Sequence, residues 1–168
     1  MDEPVVVVDY DPNWVSIFSQ LRDMLSDALG TLPVAIEHVG STSIPGAAAK
    51  SIIDIDVVLR SVKDVQEAIR LLGRIGYRHV GNLGIPGREA FENPATLPAH
   101  HLYVVVFGNP EHSRHLQFRN YLRNRPEARD QYSALKKSLA ARFKDNREAY
   151  TEAKTAFIEN VLRQRAET

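Results

Sequence analysis

The sequence predicts a mixed α/β (α+β) fold in which a small mixed β-sheet is flanked by helices and followed by a helical C-terminal segment. In the first two-thirds of the chain, amphipathic stretches alternate with short runs rich in β-branched residues, as in proteins whose helices and strands share a core. After Asn109-Pro110 only helical spacing remains. Because 168 residues suit one domain, we expect a single domain over 1–168, with a core at about 1–108 and a helical part at about 111–165.

The first helix is the most clearly marked element. Asp11 and Pro12 are residue types typical of an N-cap and a first helical position, and apolar residues follow at helical spacing up to Leu29, where Gly30 ends the helix. Further along, the spacing predicts strands at 34–39, 52–59, 77–81, 88–91 and 102–107, and helices at 61–75, 111–123, 126–142 and 147–163. Apart from its short strand, the Gly- and Pro-rich stretch 82–99 is expected to be loop.

The composition excludes several classes of protein. The chain has no cysteine, which removes thiol catalysis, zinc-thiolate sites and disulfides and is consistent with a reducing compartment. Its 21 basic and 21 acidic residues balance, so no global charge favours nucleic acid or an anionic membrane. The N-terminal stretch has only four consecutive valines and no basic flank, unlike a signal peptide or a membrane span. We therefore expect a cytoplasmic protein.

Two aspartates interrupt the apolar strand over 52–59. Asp54 and Asp56 are two residues apart, so on a strand they share one face, with their α-carbons about 6.6–7 Å apart, while Ile53, Ile55 and Val57 line the other. Two neighbouring carboxylates that lose hydration repel each other. Magnesium is commonly held by one or two carboxylates together with water and phosphate oxygens, and this predicts Mg²⁺ at Asp54 and Asp56.

The loop before this strand has the residues of a phosphate site. Gly40 allows close approach of the backbone to a ligand, Ser41 and Thr42 offer hydroxyl and N–H groups, and Lys50 can neutralise negative charge. The same residues also fit a simpler interpretation, in which Asp-x-Asp marks a solvent-facing side of a strand and Gly-Ser-Thr-Ser is an ordinary capped turn.

Four segments carry a resemblance to a known family. A strand that ends in Gly-Ser, followed by Asp-x-Asp on the next strand, resembles the signature of the nucleotidyltransferase superfamily, whose fold is that of polymerase β. More closely, the chain resembles the GrpB-like family over almost its whole length, in EHVGSTSIPGAAAKSIIDIDVV (37–58), HHLYVV (100–105), HLQFRNYLR (115–123) and YTEAKTAFI (150–158).

The resemblance implies a nucleotidyltransferase-like mixed sheet on which the Gly-Ser loop and the Asp-x-Asp pair are neighbours. It implies that Gly40 and Ser41 hold a nucleoside triphosphate and that Asp54 and Asp56 bind magnesium. The superfamily has a third carboxylate on a neighbouring strand, but here that strand contains no acid, and His101 and Tyr103 occupy the expected face. Glu89 and Glu92, in the preceding segment, are alternative sources of the missing carboxylate.

Several other residues have both a functional and a structural interpretation. His38 and His101 are candidate contacts for substrate or metal at strand ends, and we include His101 among the catalytic candidates because a histidine can replace a missing base. Arg88 is a candidate phosphate ligand through its planar guanidinium. Structural interpretations are preferred for a second group: His112 and His115, the run Arg114, Arg119, Arg123 and Arg125, and the pair Tyr150 and Lys154.

The sequence thus leads to one main function and two alternatives. The main prediction is a magnesium-dependent nucleotidyltransferase that transfers a nucleoside monophosphate from a nucleoside triphosphate to an unknown acceptor. The first alternative is an inactive nucleotide-binding or protein-interaction module, related to the domain that the family contributes to some dephospho-coenzyme A kinases. The second is metal-dependent phosphoester hydrolysis at Asp54, Asp56 and His101.

Overall fold

The computed structural model describes residues 3–166, with side chains described as far as Gln164. In this range the α-helices are α1 (Asn13–Leu29), α2 (Val65–Arg74), α3 (Pro110–Arg123), α4 (Pro126–Arg142) and α5 (Arg147–Ala166). The strands are β1 (Pro33–Val39), β2 (Ile53–Leu59), β3 (Arg78–Gly81), β4 (Arg88–Glu92) and β5 (His100–Val106), and single 3₁₀ turns cover Ser41–Ser43 and Val62–Asp64.

The strands form one mixed sheet in the order β1-β2-β5-β4-β3. The central pair, β2 and β5, is parallel, and the remaining neighbours are antiparallel. In the parallel pair Asp54 lies beside His101, and Asp56 lies beside Tyr103. The four side chains therefore share one face of the sheet, because neighbouring residues on paired strands point the same way.

The opposite face of the sheet carries the main hydrophobic core. Ile53, Ile55 and Val57 of β2 pack there against α1 and α2, in a cluster that includes the buried side chains of Trp14 and Leu25. The predicted division of β2 into an apolar face and an aspartate face is confirmed. Each buried apolar side chain of this size stabilises the fold by about 1.5–3 kcal/mol, which explains why the aspartates can only occupy the other face.

The C-terminal helices cover part of the aspartate face. A second apolar cluster joins Ile44 and Ala47 of the loop after β1 to α3, α4 and α5 through Phe118, Tyr132 and Val161. The N-terminal segment links both parts of the molecule: Val8 exchanges two backbone hydrogen bonds with Ala49, and the Val5 N–H donates to the carbonyl of Lys144. The helices are therefore held against the sheet along one side of the aspartate face.

The structure confirms the predicted mixed sheet with flanking and C-terminal helices and changes some boundaries. The first helix begins at Asn13, one residue later than predicted, and the Asp11 carboxylate accepts a hydrogen bond from the Asn13 N–H. Gly30 ends this helix with a φ of 61°. The predicted helix over 61–75 begins with the 3₁₀ turn, whose N-cap is the Ser61 hydroxyl. Within the described residues, no helix is both long and apolar enough to cross a membrane.

Candidate active site

A cavity of about 430 Å³ lies between the aspartate face of the sheet and the C-terminal helices. Its lining includes Ser41, Thr42, Lys50, Asp54 and His101 from the sheet side and Lys136, Tyr150 and Lys154 from the helices. Five of the eight residues predicted to act in catalysis or ligand binding are thus in one place. A second lobe of about 300 Å³ shares Ser41, Asp54 and Lys154 and extends past Gly40 towards Phe118.

Gly40 and Asp54 are in close contact at the edge of the cavity. Gly40 has a φ of 72°, a conformation that favours glycine. A Cβ atom at this position would lie 2.2 Å from Oδ2 of Asp54, so a larger residue would displace the carboxylate. The glycine therefore allows the loop that carries Ser41 to approach Asp54, as the sequence predicted.

Asp54 is the exposed member of the aspartate pair. Its side chain retains 30% of its accessible surface, and its Oδ1 accepts a hydrogen bond of 2.8 Å from Nδ1 of His101. A carboxylate that accepts from Nδ1 fixes the orientation of the imidazole and leaves Nε2 for other contacts. Asp54 and His101 thus form an oriented pair at the cavity, with Asp54 Oδ2 directed towards Gly40.

Asp56 is completely buried and is held by two histidines of α3. Its Oδ2 accepts hydrogen bonds of 2.8 Å from Nδ1 of both His112 and His115. Burial alone would raise the pKa of Asp56, but the hydrogen bonds and positive charges of the two histidines outweigh it and lower this pKa. The two aspartates, equivalent by spacing, therefore differ: Asp54 faces the cavity, and Asp56 is the buried centre of a charge cluster.

His115 extends this cluster towards the cavity. Its second ring nitrogen, Nε2, lies 3.2 Å from Oε1 of Glu111. Burial opposes the positive charge of His115, but the hydrogen bond to Asp56 and the charges of Asp56 and Glu111 outweigh burial and raise the pKa of His115. His115 thus lies between two carboxylates, which favour its protonated form.

Three lysines also line the cavity. Lys136 of α4 is 2% exposed and donates a hydrogen bond to the carbonyl of Ala48. The amino groups of Lys50 and Lys154 lie 5.4 and 5.1 Å from the ring centroid of Tyr150. No described salt bridge within 3–164 involves any of these lysines. We call Lys50, Lys136 and Lys154 the lysine wall, and Asp54, Asp56, His101 and Tyr103 the strand floor.

Protonation of the lysines of the wall costs free energy, because their amino groups are partly or fully removed from water. Burial is the largest cause that lowers the pKa of Lys136, to about 7, and of Lys154, to about 8, and repulsion by neighbouring basic groups adds to it. Burial and the charge of Arg147 also lower the pKa of Lys50. A bound anion would offset these costs, so the wall has the properties of an anion-binding surface.

The residues of the strand floor fit magnesium better than a metal that needs many protein ligands. Among the described residues there is no group of three or more His, Asp or Glu side chains suited to hold a metal ion. Oδ1 of Asp56 is buried and has no hydrogen-bond partner, which is unfavourable for an ionised carboxylate, and Asp54 faces the cavity. Magnesium needs only one or two carboxylates, since water and phosphate oxygens complete its octahedron.

Three predicted residues have positions that sequence spacing did not foresee. Thr42 lines the cavity, but its hydroxyl also makes a hydrogen bond of 2.9 Å with Nε2 of His38. His38 lies beside Ile55 on the core face and stacks on Phe18, and burial lowers its pKa to about 4. Arg88 is not among the residues that line the cavity: it lies under Tyr103, with its guanidinium carbon 4.4 Å from the ring centroid.

The position of the third superfamily carboxylate is occupied by other residue types. Glu89 pairs with His79, and Glu92 pairs with Arg78, near the edge of the sheet. Neither glutamate is among the residues that line the cavity. His101 and Tyr103 take the places beside Asp54 and Asp56, and both line the cavity.

Sequence reasoning missed the residues that come from the helices. The spacing of His112 and His115 favours a solvated helix face, but both side chains bind Asp56; their separation by three residues, on a helix that starts at Asn109-Pro110 directly after β5, is the signal in the sequence. Packing is the preferred interpretation for Tyr150 and Lys154, but both residues line the cavity. Lys136 carried no signal, because nothing distinguishes it from Lys137 before the helices are packed. The basic run of α3 makes internal contacts: Arg119 with Glu37, and Arg123 with the carbonyl of Ser43.

The fold is nucleotidyltransferase-like. The chain superposes on a mutant of the Cid1 poly(U) polymerase bound to MgATP with a TM-score of 0.59 and 12% identity, covering 86% of this chain and 50% of that chain. At this identity the likeness shows the fold alone. The closer likeness is to the crystal structure of the conserved protein GrpB from Enterococcus faecalis, with a TM-score of 0.85, 36% identity and coverage of 95% of this chain and 96% of that chain.

The chain belongs to the GrpB protein family, whose model matches residues 4–164. It is 33% identical to the glutamate-rich protein GrpB of Alkalihalophilus pseudofirmus, with coverage of 94% of both chains. It is 37% identical to the UPF0157 protein YqkA of Bacillus subtilis, covering 92% of this chain but 45% of that protein. It is 25% identical to a dephospho-CoA kinase of Mycolicibacterium paratuberculosis, covering 95% of this chain and 46% of the kinase. The chain thus spans about half the length of two of these relatives.

Proposed function

We propose that this protein is a magnesium-dependent nucleotidyltransferase that transfers a nucleoside monophosphate from a nucleoside triphosphate to a small acceptor. One observation carries the proposal: Asp54, in contact with the Gly40 loop, lies in the same cavity as three buried or half-buried lysines. A carboxylate that can bind magnesium and a cationic surface that can bind phosphates are the two components that phosphoryl chemistry needs.

The triphosphate would bind between the Gly40 loop and the lysine wall. Ser41 lines both lobes of the cavity and would contact the reacting phosphate beside Asp54. Lys50, Lys136 and Lys154 would bind the outer phosphates and neutralise the charge that grows on the leaving pyrophosphate. Magnesium held by Asp54, with Asp56 Oδ1 as a second donor, would neutralise phosphate charge and align the phosphate chain.

His101 is the proposed base for the acceptor hydroxyl. The hydrogen bond from its Nδ1 to Asp54 leaves Nε2 to accept the proton of the attacking hydroxyl, in place of the absent third carboxylate. The acceptor oxygen would form a bond to the α-phosphorus while the bond from that phosphorus to the bridging oxygen breaks. Pyrophosphate would leave with this electron pair, and the proton would remain on His101.

Binding and turnover can be measured separately. Calorimetry and thermal shift with each of the four nucleoside triphosphates, with and without magnesium, should give magnesium-dependent binding to the wild type and little binding to Asp54→Asn. Pyrophosphate release in the presence of candidate hydroxyl acceptors should be lost in His101→Gln, which keeps a polar side chain but removes the base. Wild-type protein that binds none of the triphosphates would contradict the proposal.

A second candidate is a nucleotide-binding module without turnover. The observation that favours it is the absence of a carboxylate beside Asp54 and Asp56 on β5, together with the similarity to a dephospho-CoA kinase of which this chain covers 46%. As a module, the protein would regulate or support a partner through its nucleotide-bound state. Tight magnesium-dependent binding without pyrophosphate release, with any acceptor class tested, would select this function.

A further inference from the structure

We infer that Tyr103 contacts the bound nucleotide and that Arg88 positions the Tyr103 ring. Tyr103 lies on β5, the strand on which the superfamily carries its third carboxylate. This inference rests on the proposed function, since it names a further residue of the same site. It begins with the register of the parallel strands, which places Tyr103 directly beside Asp56. Tyr103 lines the cavity together with Asp54 and His101, so its side chain is available to a ligand there.

The phenol of Tyr103 is suited to donate a hydrogen bond to an anion. Burial raises its pKa, and the charges of Asp54, Asp56 and Glu111 raise it further, against a smaller opposite effect of Arg88. The hydroxyl therefore stays protonated, whereas a carboxylate at the same position would be ionised and would repel phosphate. A protonated hydroxyl close to two aspartates is a donor for a phosphate oxygen drawn into the cavity by magnesium and the lysine wall.

Arg88 is placed to hold the ring of Tyr103 and not to bind the ligand itself. Its side chain is more than nine-tenths buried, and its guanidinium carbon lies 4.4 Å from the Tyr103 ring centroid. Its Nη2 donates to the carbonyl of Asn82, at 3.2 Å, while its Nε is buried without a partner among the described residues. Its guanidinium lies over the face of the Tyr103 ring, a cation–π arrangement that constrains the ring plane.

The alternative is that Arg88 and Tyr103 only pack the sheet. In that case the tyrosine hydroxyl would contribute nothing to nucleotide affinity, and the charge of Arg88 would matter only for folding. Three variants separate these interpretations. Tyr103→Phe removes the hydroxyl and keeps the ring; Arg88→Lys keeps a cation over the ring, whereas Arg88→Gln removes it.

The test combines affinity with a signal from the tyrosine itself. Full-length protein labelled with ¹³C at its tyrosine rings is titrated with magnesium and the non-hydrolysable nucleoside triphosphate analogue that binds the wild type best. The Tyr103 resonance is assigned by its absence in Tyr103→Phe. We expect this resonance to shift on binding, and the affinity to fall roughly ten- to hundredfold in Tyr103→Phe, the range for a lost hydrogen bond to a charged group. Arg88→Gln should shift the Tyr103 resonance even without ligand and should weaken binding of the analogue. Arg88→Lys should largely retain the wild-type resonance position and the wild-type affinity.

Matched controls are available at residues that do not line the cavity. Arg22 lies over the Phe18 ring at 5.8 Å, and the Tyr121 hydroxyl donates to Gln164; Arg22→Gln and Tyr121→Phe should leave nucleotide affinity unchanged. The inference would be overturned if Tyr103→Phe and Arg88→Gln bound the analogue within twofold of the wild-type affinity and the Tyr103 resonance of the wild type did not move on binding. The proposed function would then remain intact. Failure of the wild type itself to bind any analogue would overturn the proposed function and this inference together. Thermal denaturation of each variant distinguishes a loss of fold from a loss of affinity.

Discussion

The strand floor, through Asp54, His101 and Tyr103, and the lysine wall line the same cavity, but the two regions differ in how their charges are stabilised. On the floor, Asp54 is paired with His101, and Asp56 with His112 and His115. On the wall, the three lysines have no described carboxylate partner within residues 3–164, and the pKa of Lys136 is lowered to about 7. The carboxylates of the floor thus have histidine hydrogen-bond partners within the protein, whereas the lysines of the wall depend on a ligand to offset their charge.

This difference separates stability from function in the two regions. Changes on the floor should disturb the fold as well as the site, because the floor belongs to the central strands. Changes on the wall should remove function and relieve the fold of a buried charge. Four changes to the protein or its conditions distinguish the two regions, and their expected effects decrease in the order given.

Gly40→Ala should cause the largest loss of stability and of binding, because Gly40 contacts Asp54 of the strand floor. The new Cβ would lie 2.2 Å from Asp54 Oδ2, at a φ of 72°, so the loop or the carboxylate must move. We expect a fall of about 2–4 kcal/mol in the free energy of unfolding and loss of magnesium-dependent triphosphate binding, measured by denaturant unfolding and calorimetry.

Gly30→Ala is the control for this prediction. Gly30 also has a positive φ, of 61°, but nothing lies within 4 Å of a Cβ built on it. It should lose only the backbone contribution, roughly 1 kcal/mol, and retain binding. Equal effects at both positions would show that contact with Asp54 is unimportant.

Lys136→Met should have opposite effects on stability and on binding. The methionine fits a similar volume without a buried charge, so the free energy of unfolding at pH 7 should rise by about 1–3 kcal/mol, after allowance for the lost hydrogen bond to Ala48. Affinity for a nucleoside triphosphate or inorganic triphosphate should fall at least about tenfold. Lys137→Met, at an exposed residue paired with Asp9, is the matched control; a stability loss at Lys136 without a change in affinity would contradict the contrast.

The pH dependence of anion binding should report the state of the lysine wall. Lys136 and Lys154, with pKa values of about 7 and about 8, bind an anion in their protonated forms. Affinity should therefore fall as pH rises from about 6.5 to 8.5, by roughly one order of magnitude. Calorimetry of inorganic triphosphate in buffers of different ionisation enthalpy should show net proton uptake near pH 7.5, and this uptake should shrink in Lys136→Met.

His115→Gln should have the smallest effect, a pH-dependent loss of unfolding free energy from the Asp56–His115 pair. The pKa of Asp56 is lowered in the folded state, so its contribution to stability is present above its unfolded pKa and is lost as pH falls through the folded value. The pKa of His115 is raised, so its contribution is present below its unfolded value of about 6.5 and is lost as pH rises through the folded value. The glutamine variant should lose about 1 kcal/mol of unfolding free energy near pH 6 and much less at pH 9. A loss that does not depend on pH would show that His115 acts only by packing.

The sequence predicted the floor better than the wall for a physical reason. Asp54 and Asp56 lie on one strand, so alternation alone places both on one face and the apolar residues on the other. The proximity of Gly40 and Ser41 to this strand is what the family resemblance implied. Periodicity along β5 likewise placed His101 and Tyr103 on the expected face. These relations are local or follow from strand pairing, and the structure confirms their placement.

Relations between helices could not be predicted in the same way. Lys136 and Lys154 meet only because α4 and α5 pack against each other and against the loop after β1, and no spacing within either helix specifies that contact. The pairing of His112 and His115 with Asp56 depends on how α3 crosses the sheet. The burial of Arg88 under Tyr103 depends on the β4–β5 register, which the loop-like composition of 82–99 obscured.

The N-terminal segment connects two parts of the molecule that lie on different sides of the cavity. Val8 is hydrogen-bonded to Ala49, next to Lys50, and Val5 to Lys144 at the end of α4. The same few residues thus hold both the loop that precedes β2 and the end of the α4 region in place. Loss of these backbone hydrogen bonds would therefore loosen the loop that carries Ala49 and Lys50 together with the residues that follow α4, although the described part of the segment itself contributes no residue to the lining of the cavity.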